Sequence, residues 1–127
     1  MNTLRSPLAH VRGLGSAKDG VAHWWAQRLT SIALVPLAVW FVISALRLIG
    51  TDYAHYHAWL ASPGNATMMV LFVATVFNHA VMGLQVIFED YVHDEGLKAL
   101  IIIVVKFLGY GLGTFSVVSV LKVAFGG

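Results

Sequence analysis

The sequence predicts an all-α integral membrane protein with three transmembrane helices, and two observations carry that prediction. Of its 127 residues, 58% are apolar and 11% charged, with a mean hydropathy of +0.77. An ordinary soluble domain carries roughly 25% charged residues. So few charges cannot cover the surface of a soluble 13.8 kDa globule, which excludes a soluble enzyme, a disordered tail and a nucleic-acid module. The charges are also grouped in blocks. Arg5, Arg12, Lys18 and Arg28 precede the first long apolar run against one acid, Asp19, and Glu89, Asp90, Asp94 and Glu95 crowd into one short stretch. A bilayer imposes that pattern, because an ionised group at its centre is expensive.

The whole chain, 1–127, reads as a single membrane domain. Residues 1–22 are expected to be a basic arm, and residues 1–20 have no apolar h-region, so they do not read as a secretory signal. The first uncharged run, Leu29 to Leu46, lies between Arg28 and Arg47 and predicts a helix over about 26–49, which Pro36 is expected to bend. The next run, Tyr53 to Phe88, is interrupted at Ser62-Pro63-Gly64-Asn65 by turn chemistry. Its second part predicts a helix over about 66–89. The part from Gly50 to Asn65, with Tyr53, Tyr56, Trp59, His55 and His57, reads as an interfacial loop whose histidines are solvated. A third helix is expected over about 98–124, containing Lys106 and Lys122. No alternating ten-residue pattern suggests a barrel. The excess of lysine and arginine on the first flank puts the N-terminus in the cytoplasm, or in the matrix of a mitochondrion. Three crossings then return Glu89–Leu97 to that side and send the C-terminus to the other.

Polar residues inside these spans carry the functional information. His79 falls near the middle of the second span, where a histidine must face the bundle interior and find a partner. A haem ligand, a proton relay and a structural hydrogen bond all remain open at this point. Gly83, four residues on, shares its helix face and leaves room for a flat porphyrin or for a close helix neighbour. With one mid-membrane histidine, a second axial ligand would come from another chain. Asn78 and Gln85 read as interhelical hydrogen-bonding groups, and Gly109 with Gly113 as a packing pair. Lys106 can snorkel or meet a partner's acid. Without cysteine the chain can build no disulfide, iron–sulfur cluster or thiolate zinc site. At the cytoplasmic end Glu89, Asp90 and Tyr91 are expected to face Arg28. The cluster is either an aromatic-belt tyrosine beside a surface ion pair, or a site for a quinone whose carbonyl accepts from Tyr91.

The stretch His79-Ala80-Val81-Met82-Gly83-Leu84-Gln85-Val86-Ile87-Phe88-Glu89-Asp90-Tyr91 resembles the H-x-x-x-G-x-x-x-x-x-x-D-Y run of the succinate dehydrogenase hydrophobic membrane anchor subunit family. Gly20-Val21-Ala22-His23-Trp24-Trp25-Ala26-Gln27-Arg28-Leu29-Thr30-Ser31 is similar to the opening of that family's first helix, most closely in alphaproteobacterial and mitochondrial-type members. The charged His93-Asp94-Glu95 after the tyrosine departs from the family pattern.

The resemblance implies a single membrane-anchor domain whose three helices form half of a heterodimeric helical bundle in complex II. It implies that His79 is an axial ligand of haem b, shared with the second anchor (cytochrome b) subunit, with Gly83 beside the cofactor. It assigns Arg28 to the vicinity of the haem propionates and the quinone, and Tyr91 with Asp90 to ubiquinone. The implied partners are that second anchor, an iron–sulfur subunit, a flavoprotein subunit, ubiquinone and membrane lipid, with no nucleic acid. The chain would be non-catalytic alone, an inner-membrane subunit of a succinate:quinone oxidoreductase. Against this stand a small proton or solute transporter subunit, which usually carries an acid inside its spans where this chain has none, and a purely structural membrane subunit.

Overall fold

The computed structural model of the chain describes residues 6–13 and 19–126. Much of the basic arm expected over 1–22, including Arg5 and Lys18, lies outside the described residues. Five helices follow in order: α1 Pro7–Val11, α2 Asp19–Leu48, α3 Tyr53–Ala61, α4 Pro63–Tyr91 and α5 Glu95–Phe125. Three of them carry stretches long and apolar enough to cross a membrane, Val21–Leu48, Pro63–Tyr91 and Glu95–Phe125. The 28 residues of the shortest stretch extend about 42 Å at 1.5 Å per residue, more than the roughly 30 Å of hydrocarbon they must cross. The chain is a multi-pass membrane protein.

Each helix end has a local cause. α2 runs through Pro36 without a break and carries Arg47 in its last turn, where a cation complements the helix dipole. Gly50, at φ +81°, turns the chain out of it, a conformation that any Cβ would strain. The segment expected as a loop over 50–65 is mostly helical. Asp52 caps α3 by accepting from the His55 backbone N–H at 2.9 Å. The turn expected at Ser62-Pro63-Gly64-Asn65 contracts to Ser62, which is both C-cap of α3 and N-cap of α4. Proline is well suited to the first turn of a helix, where its missing N–H has no partner to lose, so Pro63 opens α4. Asn65 Nδ2 donates to the Trp59 carbonyl at 3.0 Å and satisfies one of the acceptors left at the end of α3. At the other side Asp94, part of the charged departure from the family pattern, is the N-cap of α5, accepting from the Leu97 N–H at 2.7 Å. Lys98 pairs with Glu95 at 2.9 Å, a surface ion pair of small energetic weight.

α4 is the central helix, packed against both α2 and α5, while α3 closes against α4 and α5. Phe41 of α2 stacks on Phe72 of α4 at 4.6 Å, and Trp40 on Trp59 of α3 at 5.8 Å. Leu60, Ala66 and Ala124 bring α3, α4 and α5 together in a small buried core. Elsewhere the helices are bare: in their most apolar stretches only 11, 11 and 6% of residues are buried inside the chain. Lipid tails or neighbouring helices must cover the rest.

The expected packing role of Gly109 and Gly113 is visible at the α4–α5 seam. A Cβ on Gly113 would lie 3.1 Å from the Phe77 side chain, and one on Gly109 would run into the Val81 side chain. Gly111 has open space. Leucine at 109 or 113 is therefore expected to destabilise the α4–α5 contact by roughly 1–3 kcal/mol, the usual penalty for overpacking. Leucine at 111 should leave it unchanged. Thermal aggregation of the detergent-solubilised protein measures the difference, and equal behaviour of all three variants would remove the seam from the account.

Candidate functional site: a polar cavity at the mid-membrane histidine

A stripe of polar side chains on the apolar helix α2 meets His79 on α4. His23, Gln27 and Thr30, with Ser31 beside it, recur at helical spacing and therefore share one face. His79 stands sixteen positions after Pro63 and twelve before Tyr91 in α4. Thr30 Oγ1 is 3.0 Å from His79 Nδ1, a bond across two spans. The same hydroxyl lies 2.9 Å from the Ala26 carbonyl and 3.0 Å from that of Gln27. Ser31 Oγ donates to the Gln27 carbonyl at 2.8 Å.

Beside this bond lies a cavity of about 410 Å³ lined by His23, Trp24, Gln27, Arg28, Ser31, His79 and Val86. Its lining is largely polar, unlike the apolar cavity between α4 and α5 that Asn78, Gly109 and Tyr110 border. His23 Nε2 and Gln27 Oε1 are buried with no hydrogen-bond partner. An unpaired buried polar atom costs roughly 1–3 kcal/mol, so these two atoms call for a polar ligand group. Arg28 is exposed, its guanidinium carbon 5.2 Å from the centre of the Trp24 ring.

The structure thus gathers Arg28 with His79 rather than with Tyr91. The pairs Thr30–His79 and Phe41–Phe72 fix an antiparallel register that sets Arg28 near the level of Gly83. Tyr91 is eight positions further along, about 12 Å up the axis at 1.5 Å per residue. It closes α4 at 77% exposed, next to the exposed Asp90. The space above Gly83 faces Gln27, whose amide nitrogen would lie 3.6 Å from an added Cβ, an ordinary contact. Gln85, expected to bridge helices, instead donates to Glu89 on its own helix at 2.8 Å, because the two are one turn apart. His57, expected to be solvated, lies 3.0 Å through Nε2 from the Gly126 carbonyl. Lys106 lines a cavity on α5 with Phe107 and Tyr110.

Reading the sequence for single unusual residues misses His23, Gln27 and Thr30. The signal that could find them is their common face within an apolar helix.

Among the described residues no three histidines, cysteines or acids stand close enough to hold a metal ion. A metal held through His79 would take its other ligands from outside this set, as a porphyrin iron would. The polar cavity, the N–H donors that His23 and the Gln27 amide can present, and the ring nitrogen of His79 that Thr30 does not occupy fit such a group.

The family described as succinate dehydrogenase/fumarate reductase transmembrane subunit matches residues 2–113. The chain belongs to that family. Among its relatives, the succinate dehydrogenase hydrophobic membrane anchor subunit of Rickettsia bellii (strain RML369-C) is 34% identical over 102 residues, 80% of this chain and 82% of the relative. The protein of the same description from Paracoccus denitrificans is 33% identical over 102 residues, 80% of this chain and 79% of its own. The succinate dehydrogenase membrane anchor subunit of Reclinomonas americana is 29% identical over 92 residues, 70% and 77% of the two chains. Both sides of the site, α2 from His23 to Ser31 and α4 from His79 to Tyr91, fall within the matched residues.

Proposed function

We propose that this member of the transmembrane-subunit family anchors a succinate:quinone oxidoreductase and supplies one side of its haem b and ubiquinone sites. The observation that carries the reading is a mid-span histidine opening onto a polar cavity with unpaired buried atoms. His79 would hold the iron through Nε2, the ring nitrogen that has no hydrogen bond among the described residues. A second ligand to the iron would come from the second anchor subunit, because the described part of the spans offers no second histidine at that depth. Arg28 would meet the haem carboxylates as a cation, and His23 and the amide N–H of Gln27 would donate to them at the edge of the cavity. Bound there, haem supplies a one-electron relay inside the membrane. Tyr91, with Asp90 beside it, would donate to a quinone carbonyl at the end of α4.

Side matters as well as depth. Arg28, Tyr91 and the start of α5 share one end of the bundle, since α2 and α4 are antiparallel and a three-residue link joins α4 to α5. The excess of basic residues on that flank favours the cytoplasmic face of a bacterial inner membrane, or the matrix face of a mitochondrial one. An iron–sulfur subunit carrying electrons from a flavoprotein would dock there, next to the quinone. A relay or channel reading has less support, because the acids fall at or between the helix ends: Asp19, Asp52, Glu89, Asp90, Asp94 and Glu95.

The test is a reduced-minus-oxidised absorption spectrum. The chain expressed with the second anchor subunit is expected to give a reducible low-spin b-type spectrum. The chain purified alone should give none, since it provides one axial ligand. A colourless co-purified complex would leave a purely structural anchor.

A further inference from the structure

We infer that Thr30 is a positioning residue that sets the tautomer of His79, holding the proton on Nδ1 so that Nε2 carries the lone pair. The inference rests on the reading of His79 as an iron ligand and adds what prepares it for that role.

A threonine hydroxyl has one proton and two lone pairs. Thr30 Oγ1 lies within hydrogen-bond distance of three atoms: the Ala26 carbonyl at 2.9 Å, the Gln27 carbonyl at 3.0 Å and His79 Nδ1 at 3.0 Å. Carbonyl oxygens only accept. The proton of Thr30 is shared between the two carbonyls of its own preceding turn, and a lone pair faces the imidazole. His79 Nδ1 must then donate. The opposite arrangement would take the hydroxyl proton from two carbonyl acceptors to serve one ring nitrogen, and would leave Nε2 as an N–H that cannot bind iron.

The neutral imidazole has one proton for its two nitrogens, so fixing it on Nδ1 frees Nε2 for a metal. Metal-bound histidines commonly donate their second nitrogen in this way, which orients the ring and raises its basicity. In this chain the acceptor is a hydroxyl on the neighbouring span. Its oxygen is polarised by two helix carbonyls, which strengthens it as an acceptor. The contact also joins α2 to α4 at the level where the ring must be aimed.

The experiment uses the assembled complex with Thr30→Val, which keeps the β-branched shape and removes the acceptor, and Thr30→Ser, which restores it. Haem retention during purification, midpoint potential and low-spin EPR g values are measured beside succinate oxidation by a soluble acceptor, which reports assembly. Thr30→Val is expected to weaken haem retention about 10–100-fold, the usual effect of losing such an outer partner. It should also raise the midpoint potential and move the g values, because the ring becomes a poorer donor. Thr30→Ser should return all three towards the parent. Unchanged retention, potential and g values in Thr30→Val overturn the proposal, as does a Thr30→Ser complex that behaves like the valine variant. If valine prevents assembly, Thr30→Ala is read in the same way. A His79→Leu complex with the parent spectrum would instead overturn the ligand reading itself, so the two failures are distinct.

Discussion

A complex carrying His79→Leu is expected to lose its low-spin b-type spectrum while still assembling in the membrane. The loss follows from ligand count, since the described residues place one imidazole at that depth. Intact assembly follows from what leucine leaves behind. Thr30 keeps its bonds to the Ala26 and Gln27 carbonyls, so deleting the ring strands no hydroxyl. Leucine is also cheaper than histidine inside a bilayer, and half-buried position 79 borders a cavity with room for it. The variant therefore separates the ligand role from the packing role that a structural histidine would have. Purified complex, reduced with dithionite, is compared with its oxidised form. A full low-spin signal in the variant would take His79 out of the site, and loss of the whole complex would make it a packing residue.

The first two spans were legible because charge is excluded from hydrocarbon, and the uncharged runs bounded by Arg28, Arg47 and the acids after Phe88 mark them directly; the third was legible from its length and apolar excess despite Lys106 and Lys122. Gly109 and Gly113 were legible for a related reason: small residues four apart on an apolar helix have few uses besides close approach. α3 was not, because Pro63 and Gly64 read equally well as a break or as the first turn of a new helix. Only the asymmetry of proline, tolerated at a start and not in an interior, decides between them. Gln85 and Glu89 could be paired from spacing alone, yet a polar residue in a span draws attention to other helices first. The Thr30–His79 bond joins residues 49 positions apart and depends on the rotation and register of α2 against α4. The antiparallel register also separates Arg28 from Tyr91, which hydropathy groups at one membrane face without resolving a difference of two helical turns.

Tyr91→Phe is expected to slow succinate–quinone turnover while leaving the haem spectrum unchanged. The phenol closes α4 at 77% exposed, and among the described residues it has no hydrogen bond within the chain. Removing its oxygen thus takes no internal contact away, and the ring remains to pack in the interfacial region. What disappears is one donor aimed outside the chain. A hydrogen bond of this kind contributes about 0.5–1.5 kcal/mol, which corresponds to roughly a 2- to 10-fold weaker quinone interaction. Succinate oxidation by a soluble acceptor, which draws electrons before the quinone, should stay near the parent value. The spectrum should also stay, because Tyr91 lies about 12 Å along the axis from the level of Arg28 and does not line the polar cavity. Arg28→Leu makes the contrast: its guanidinium borders the cavity itself, so that variant should disturb the spectrum as well as turnover. Loss of both acceptor activities in Tyr91→Phe would mark an assembly residue. Retention of both would mean that the quinone takes its donor from another subunit.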